Sequence, residues 1–343
     1  MPITPINPTT ITLIATLRCT SACDNCCFGC TPTQGRSMTL EEMKGYVDMS
    51  LEGYPDTISA LDLTGGECML LGKDVDKIFT YAKSKGLDCS MVTNAFWATD
   101  YDNACMTLKR LQRCGLKKIA FSTGEDHNRY VPWRNVRNAA VAAAHLGLVT
   151  RLRMENKPGC WTINNELKND PEIMELVQKG RLKLSGSPWM QYHNKGKKPR
   201  NWMVAFYDSG DYTPCKTLFS SVIINPYGEV YACCGIGVCH IPQMRLGNIH
   251  QDTLKTIYER AFADFLKIWL YTKGPKEVLK YVHGKTGQNF LWHTQHICDI
   301  CRTIFIDKSV IPVIRENYFD VASLILELYE IDAKIQNESR IRR

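Results

Sequence analysis

The stretch Cys19-Thr20-Ser21-Ala22-Cys23-Asp24-Asn25-Cys26-Cys27-Phe28-Gly29-Cys30 sets five cysteines within twelve residues, directly after the apolar run from Thr10 to Leu17. Cys19, Cys23 and Cys26 stand at the spacing C-x3-C-x2-C, which lets a short irregular loop wrap three thiolates around one face of a cubane iron-sulfur cluster. Three ligands leave one iron open to a further group. The alternative is a structural zinc knot, which needs four ligands and would take Cys27 or Cys30 as the fourth. Zinc sites usually pair their cysteines as two short knuckles, so the spacing favours the cluster.

The surrounding chain has 343 residues, enough for about two domains and a sizeable core. Its sixteen cysteines do not read as a secreted disulfide framework. The start, Met1-Pro2-Ile3-Thr4-Pro5-Ile6-Asn7-Pro8, has neither the basic region nor the apolar run of a signal peptide. No apolar segment reaches membrane length. Clustered cysteines without an export signal imply metal or redox chemistry in a reducing cytoplasm. The formal net charge of +7 is modest for this size and argues against a nucleic-acid footprint, and the short run Lys195-Gly196-Lys197-Lys198-Pro199-Arg200 reads as a solvated loop.

From residue 10 to about 186, β-branched or apolar runs alternate with segments of helical periodicity, the pattern of βαβ units on a parallel sheet. Strands are expected at 10–17, 58–63, 87–93, 116–122, 148–154 and 181–185. Helices are expected near 39–52, 73–85, 100–114, 133–146 and 171–179. Thr39-Leu40-Glu41-Glu42 supplies a capping box for the first helix, and Gly86, Gly115 and Gly147 each close one. Six such units make an α/β fold, an open partial (β/α)6 barrel, whose functional groups belong at the C-terminal ends of the strands.

The motifs fall at those ends. After the second strand comes Thr64-Gly65-Gly66-Glu67, whose glycines let backbone approach a small polar ligand closely. The third strand ends in Thr93-Asn94-Ala95-Phe96-Trp97 and the fourth in Ser122-Thr123-Gly124-Glu125-Asp126-His127. A triple-cysteine loop followed one unit later by Gly-Gly-Glu resembles the radical S-adenosylmethionine (SAM) enzymes. That resemblance implies a 4Fe-4S cluster on Cys19, Cys23 and Cys26, with SAM chelated at its open iron. It also implies cofactor contacts from Gly65, Gly66 and Glu67, from Asn94 and Ser122, and less from His127. These enzymes often carry an aromatic residue just before the third cysteine. Here that place is Asn25, which leaves Phe28 as the candidate for packing on SAM.

Residues 187–214, with Pro188, Trp189, Pro199, Trp202 and Pro214 among glycines and basic residues, read as a long connection. Beyond it, Cys215 precedes two β-runs that flank Asn225-Pro226-Tyr227-Gly228, the signature of a hairpin, and the second run ends in Cys233-Cys234. A hairpin brings Cys215 near Cys233, and Cys298-Asp299-Ile300-Cys301 adds a knuckle, giving four ligands for a second metal site, cluster or zinc. C-x12-G-x4-C followed at a distance by C-x2-C resembles the shortened SPASM domain known as twitch, which implies one auxiliary 4Fe-4S cluster on Cys215, Cys233, Cys298 and Cys301. The cysteines of the full pattern, which holds two auxiliary clusters, are missing after Cys301. Cys27, Cys30, Cys68 and Cys239 receive no assignment. The expected division is a barrel over 1–205, an α+β auxiliary-cluster domain over 206–310 and a helical tail over 311–343. In the tail Ile314, Tyr318, Val321, Leu324, Ile325, Leu328 and Ile331 suggest a helix packed on the body.

Cys23-Asp24-Asn25-Cys26-Cys27-Phe28, Thr64-Gly65-Gly66-Glu67, Asn94-Ala95-Phe96-Trp97, Gly228-Glu229-Val230-Tyr231-Ala232-Cys233-Cys234 and Ile297-Cys298-Asp299-Ile300-Cys301 together resemble the radical SAM epimerases of ribosomally synthesised peptides. The resemblance implies inversion of L-residues in a precursor peptide, with Cys234 as the thiol that returns a hydrogen and a flavodoxin or ferredoxin as electron donor. Those epimerases place an aspartate where this chain has Ser221. The competing expectations are a peptide cross-linking maturase and, remotely, a zinc-stabilised binding protein.

Overall fold

The computed structural model describes residues 3–157, 159, 161–190, 214–288, 290 and 296–340. The expected connection therefore lies largely outside the described residues, as do the Lys195–Arg200 run and the expected 205/206 boundary. Two compact units emerge, one of residues 12–48 and 59–204, the other of residues 1–11, 49–58 and 205–343.

The first unit alternates strands and helices in the order β1 (Thr10–Thr16), α1 (Leu40–Gly53), β2 (Ala60–Gly65), α2 (Lys73–Ser84), β3 (Asp88–Thr93), α3 (Tyr101–Cys114), β4 (Leu116–Thr123), α4 (Glu125–Asn128), α5 (Trp133–His145), β5 (Val149–Asn156), α6 (Thr162–Asn169), α7 (Pro171–Gln178) and β6 (Leu182–Pro188). The strands are ordered β6-β5-β4-β3-β2-β1, and the pairings from β2 through β6 are all parallel. This is the α/β six-stranded half-barrel that the alternation predicts. Leu61, Leu63, Cys89, Phe121 and Leu152 are fully buried, alternating with more polar neighbours on the other face. Thr39 and Glu42 form the expected capping box: the Thr39 amide donates to Glu42 Oε2 at 2.8 Å and the Glu42 amide to Thr39 Oγ1 at 3.2 Å. The sequence reading passes over α4 and α6, which are too short to leave a helical period.

The second unit contains the predicted hairpin, β7 (Ser221–Ile224) and β8 (Glu229–Tyr231), with Ile223 opposite Tyr231 and Ile224 opposite Val230. Asn225 makes the turn: its side-chain oxygen accepts from the amides of Tyr227 and Glu229, and Gly228 takes φ 74°. A third strand, β9 (Arg245–Asn248), extends the hairpin. The helices α8 (Leu254–Phe262), α9 (Phe265–Lys273), α10 (Pro275–Thr286) and α11 (Ile297–Ile306) follow.

The tail departs from the expected single packed helix. It breaks at Tyr318 into α12 (Val310–Asn317) and α13 (Phe319–Arg340). On α13 the buried line is Ile325, Tyr329 and Ala333, whereas Leu324 and Ile331 are exposed. Burial follows Tyr329, whose hydroxyl donates to the Thr4 carbonyl, and Glu330, which accepts from the Thr4 amide. These bonds turn the helix so that the other apolar line faces water.

Candidate iron-sulfur sites

In the first unit the cysteine loop leaves the C-terminal end of β1 and returns through backbone bonds, the Cys19 amide to the Thr31 carbonyl and the Leu17 amide to the Arg36 carbonyl. Cys19, Cys23 and Cys26 lie close enough to repel one another as thiolates. Burial pushes the Cys19 and Cys23 thiols up. Cys26 is brought down to about 6 by the Cys30 thiol and by the backbone amides of Cys30, Phe28 and Gly29, against the opposing effect of burial. Three sulfurs gathered on one loop, with amides aimed at one of them, suit an electron-rich metal cluster. Cys30 is buried and its amide points at Cys26 Sγ from 3.3 Å.

Gly65 and Gly66 sit against the chain that enters this loop. A Cβ on Gly66 would overlap the Arg18 carbonyl, and one on Gly65 the Thr16 carbonyl. The Gly66 amide donates to Thr16 and the Glu67 amide to Arg18, at 2.7 and 2.9 Å. The glycines thus allow two strand ends to touch, a role beside the ligand approach expected of them. Glu67 is completely buried. Its carboxylate accepts from the amides of Met69 and Asn94 and from the Thr93 hydroxyl, at 2.7–3.0 Å. Burial raises it to about 7 in spite of those bonds. Asn94 in turn donates to Thr20 Oγ1 at 2.9 Å and points its amide at Cys19 Sγ from 3.7 Å. Ser122 lies near the end of β4, in register with Arg153 of β5. Phe28 is half-buried in the loop.

A second set of tethers escapes the sequence reading. Asn25 donates to Glu155 Oε2 at 3.0 Å, and the 2% exposed Glu155 carboxylate also accepts from the Asp126 amide and faces His127 Nδ1 at 3.1 Å. Asp126 accepts from Lys157 Nζ at 2.6 Å and Trp189 Nε1 at 2.7 Å. Arg129 pairs with Asp24, and the Tyr130 hydroxyl donates to the Ala22 carbonyl. Glu155 was findable: it stands at the C-terminal end of β5, one residue past the predicted strand, where functional groups are expected. Among the described residues Asn25 Oδ1 is buried without a partner.

In the second unit Cys215, Cys233, Cys298 and Cys301 line one cavity with Leu218, Ile236, Val238, Ile241, Met244, Leu270 and Ile297. The hairpin base makes this possible, since the Phe219 amide bonds the Ala232 carbonyl at 2.8 Å. Cys298 and Cys301 are one turn apart on α11, whose first turn is capped by His296 Nδ1 accepting from the Cys298 amide. Gly235 lies against both Cys298 and Cys233 sulfurs. Burial pushes Cys298 up to about 12 and raises Cys233 and Cys301 well above the ordinary thiol range, so a cation among them is what would favour their thiolates. Among the described residues no three donors converge tightly enough to hold a single metal ion. Four thiols around a cavity suit a larger inorganic core. Cys234 and Cys239 do not line it, and Cys234 is exposed. Ser221, at the start of β7, is buried and gives its carbonyl to the Tyr258 hydroxyl.

Residues 215–278 match the SPASM family, an iron-sulfur cluster-binding domain. The match starts on Cys215 and includes Cys233. Over 325 residues, 90% of this chain and 94% of the relative, the sequence is 20% identical to the putative peptide biosynthesis protein YydG of Bacillus subtilis (strain 168). Among solved structures, methylornithine synthase (PylB) aligns at 15% identity and a TM-score of 0.37, covering 55% of each chain. HydG, a maturase of the FeFe-hydrogenase, aligns at 10% identity and a TM-score of 0.39, over 99% of this chain and 80% of that one. The matched segment contributes Cys215 and Cys233 to the four-cysteine cavity. The family description implies an iron-sulfur cluster as the group that the four cysteines would hold. Among the described residues no helix is long and apolar enough to cross a membrane.

Proposed function

We propose that this chain is a radical SAM maturase that epimerises L-residues of a ribosomally synthesised peptide. The observation that carries the reading is the split between adjacent cysteines: Cys233 lines the four-cysteine cavity while Cys234 is exposed outside it. The similarity to a peptide biosynthesis protein over nine-tenths of the chain supports a peptide as substrate.

Cys19, Cys23 and Cys26 would hold the SAM cluster, and Cys215, Cys233, Cys298 and Cys301 the auxiliary one. When bound, the first cluster and SAM would supply a carbon-centred radical able to take the Cα hydrogen of one residue. Asn94 donates to Thr20 and Glu155 accepts from Asn25, bonds that would hold the loop, and any cluster on it, in one place relative to the peptide. Cys234 then gives its thiol hydrogen atom to the opposite face of the carbon, forming a C–H bond as the S–H bond breaks. The resulting sulfur radical is returned to thiol by one electron and one proton from an external flavodoxin- or ferredoxin-type donor. Ser221 in place of an aspartate leaves positioning of the peptide to other groups.

Anaerobic reaction of the reconstituted protein with SAM, a reductant and the precursor peptide in D2O tests this. The expected product carries one deuterium and one D-residue with no other mass change. A product two hydrogens lighter would instead identify a cross-linking maturase. Cys234→Ala should keep SAM cleavage and lose the D-residue; a variant that still makes D-residues at the parental rate overturns the assignment of the thiol.

A further inference from the structure

On α13, Leu324, Ile331 and Ile335 are 55%, 53% and 58% exposed, and Leu328 between them is half-buried. With Val321 they follow the spacing 3, 4, 3, 4 of heptad positions a and d. The line is separate from the buried one at Ile325, Tyr329 and Ala333, lying on the order of 130° around the helix from it at 3.6 residues per turn. A partner on this line therefore does not compete with the body of the unit. Isolated exposed leucines are ordinary, but four large aliphatic side chains in one unbroken line are the pattern of a surface that is covered.

The charges beside the line say what covers it. Glu327 and Lys334 are both exposed and both occupy heptad position g, one heptad apart. When two copies of α13 cross antiparallel with Leu328 of one against Ile331 of the other, Leu324 meets Ile335 in the next layer. In that register Glu327 of each copy faces Lys334 of the other, because antiparallel pairs match g with g. The line is thus complementary to itself in both shape and charge, as a two-fold interface requires. A parallel pairing would instead match g with e and set Glu327 against Asp332. That aspartate is already engaged by Lys216 and Tyr271. We propose that α13 is a homodimerisation helix, pairing antiparallel with α13 of a second copy through Leu324, Leu328, Ile331 and Ile335.

Sedimentation of the intact, anaerobically reconstituted protein across a concentration series tests this. A dimer is expected at micromolar concentration. Leu328→Asp with Ile331→Asp should weaken it at least ~100-fold through two buried charges in each copy. Circular dichroism and the unfolding midpoint of the isolated monomer should be unchanged, which separates loss of pairing from loss of fold. Glu327→Lys should weaken the dimer about tenfold and Glu327→Lys with Lys334→Glu should restore it. A parental protein monomeric throughout the series overturns the proposal, as does a dimer indifferent to the paired aspartates. Stronger association of Glu327→Lys alone overturns the antiparallel register, since that change favours the parallel pairing with Asp332.

Discussion

The cysteine loop after β1 is held in place by polar side chains, whereas the four cysteines of the C-terminal unit surround an apolar cavity. Asn94, Glu155, Arg129 and Tyr130 all bond to the loop. Around Cys215, Cys233, Cys298 and Cys301 the lining is mostly Leu, Ile, Val and Met, with Thr217 and Gly235 beside them. A centre that must admit a charged cofactor needs polar groups and a backbone that can be approached. A centre closed by four thiolates needs only exclusion of water. The contrast predicts separable failures.

The largest effect is expected from the cysteines proposed as ligands. Cys26→Ser should lower SAM cleavage by at least ~1,000-fold and halve the iron from about eight to about four per chain, with the auxiliary cluster still visible by electron paramagnetic resonance. Cys301→Ala should lose the other half of the iron and keep SAM cleavage. The contrast breaks down if either variant loses both centres. Next in size is Gly66→Ala. Its Cβ would collide with the Arg18 carbonyl, a backbone atom that cannot step aside, so a loss of roughly 4 kcal/mol is expected in urea unfolding. Gly45→Ala, mid-helix in α1 with nothing near its missing Cβ, should gain roughly 0.5–1 kcal/mol under the same conditions.

Glu67 sharpens the comparison through pH. Its carboxyl stands at about 7 in the folded chain against an ordinary 4.5, so the folded state holds the proton more tightly. The stability this contributes is complete below about pH 4.5 and lost as the pH rises through 7, roughly 3 kcal/mol at most. Glu67→Gln should flatten that part of the profile of unfolding free energy against pH; an unchanged slope would assign the titration to another group. The smallest effect is expected at the rim, where Tyr130→Phe removes one bond to the Ala22 carbonyl. A cost of about 0.5–1 kcal/mol and an unaltered iron content are expected.

Much of this was legible in the sequence because it rests on local rules. Periodicity of two and of 3.6 located the six strands of the first unit and their longer helices, and Thr39-x-x-Glu42 fixed the start of α1. The cysteine spacings selected seven thiols, three gathered on the loop and four around the cavity. What escaped depends on long-range geometry. Glu155 pairs with Asn25 across 130 residues, and no spacing rule connects them. The helices α8 to α10 carry mixed apolar and aromatic positions, and only packing decides which of those are buried. The tail shows the same limit from the other side. Its apolar residues form two lines, and the contacts of Thr4 with Tyr329 and Glu330 select the line that turns inward.

The amide of Cys30, aimed at the Cys26 sulfur, has a consequence for electron supply. A sulfur that binds iron becomes more electron-rich when the metal is reduced, and an N–H dipole directed at it favours that added charge. With iron on Cys26 as proposed, the local backbone would ease the demand on a reductant, and replacing Cys30 by proline, which has no amide hydrogen, would make the same centre harder to charge.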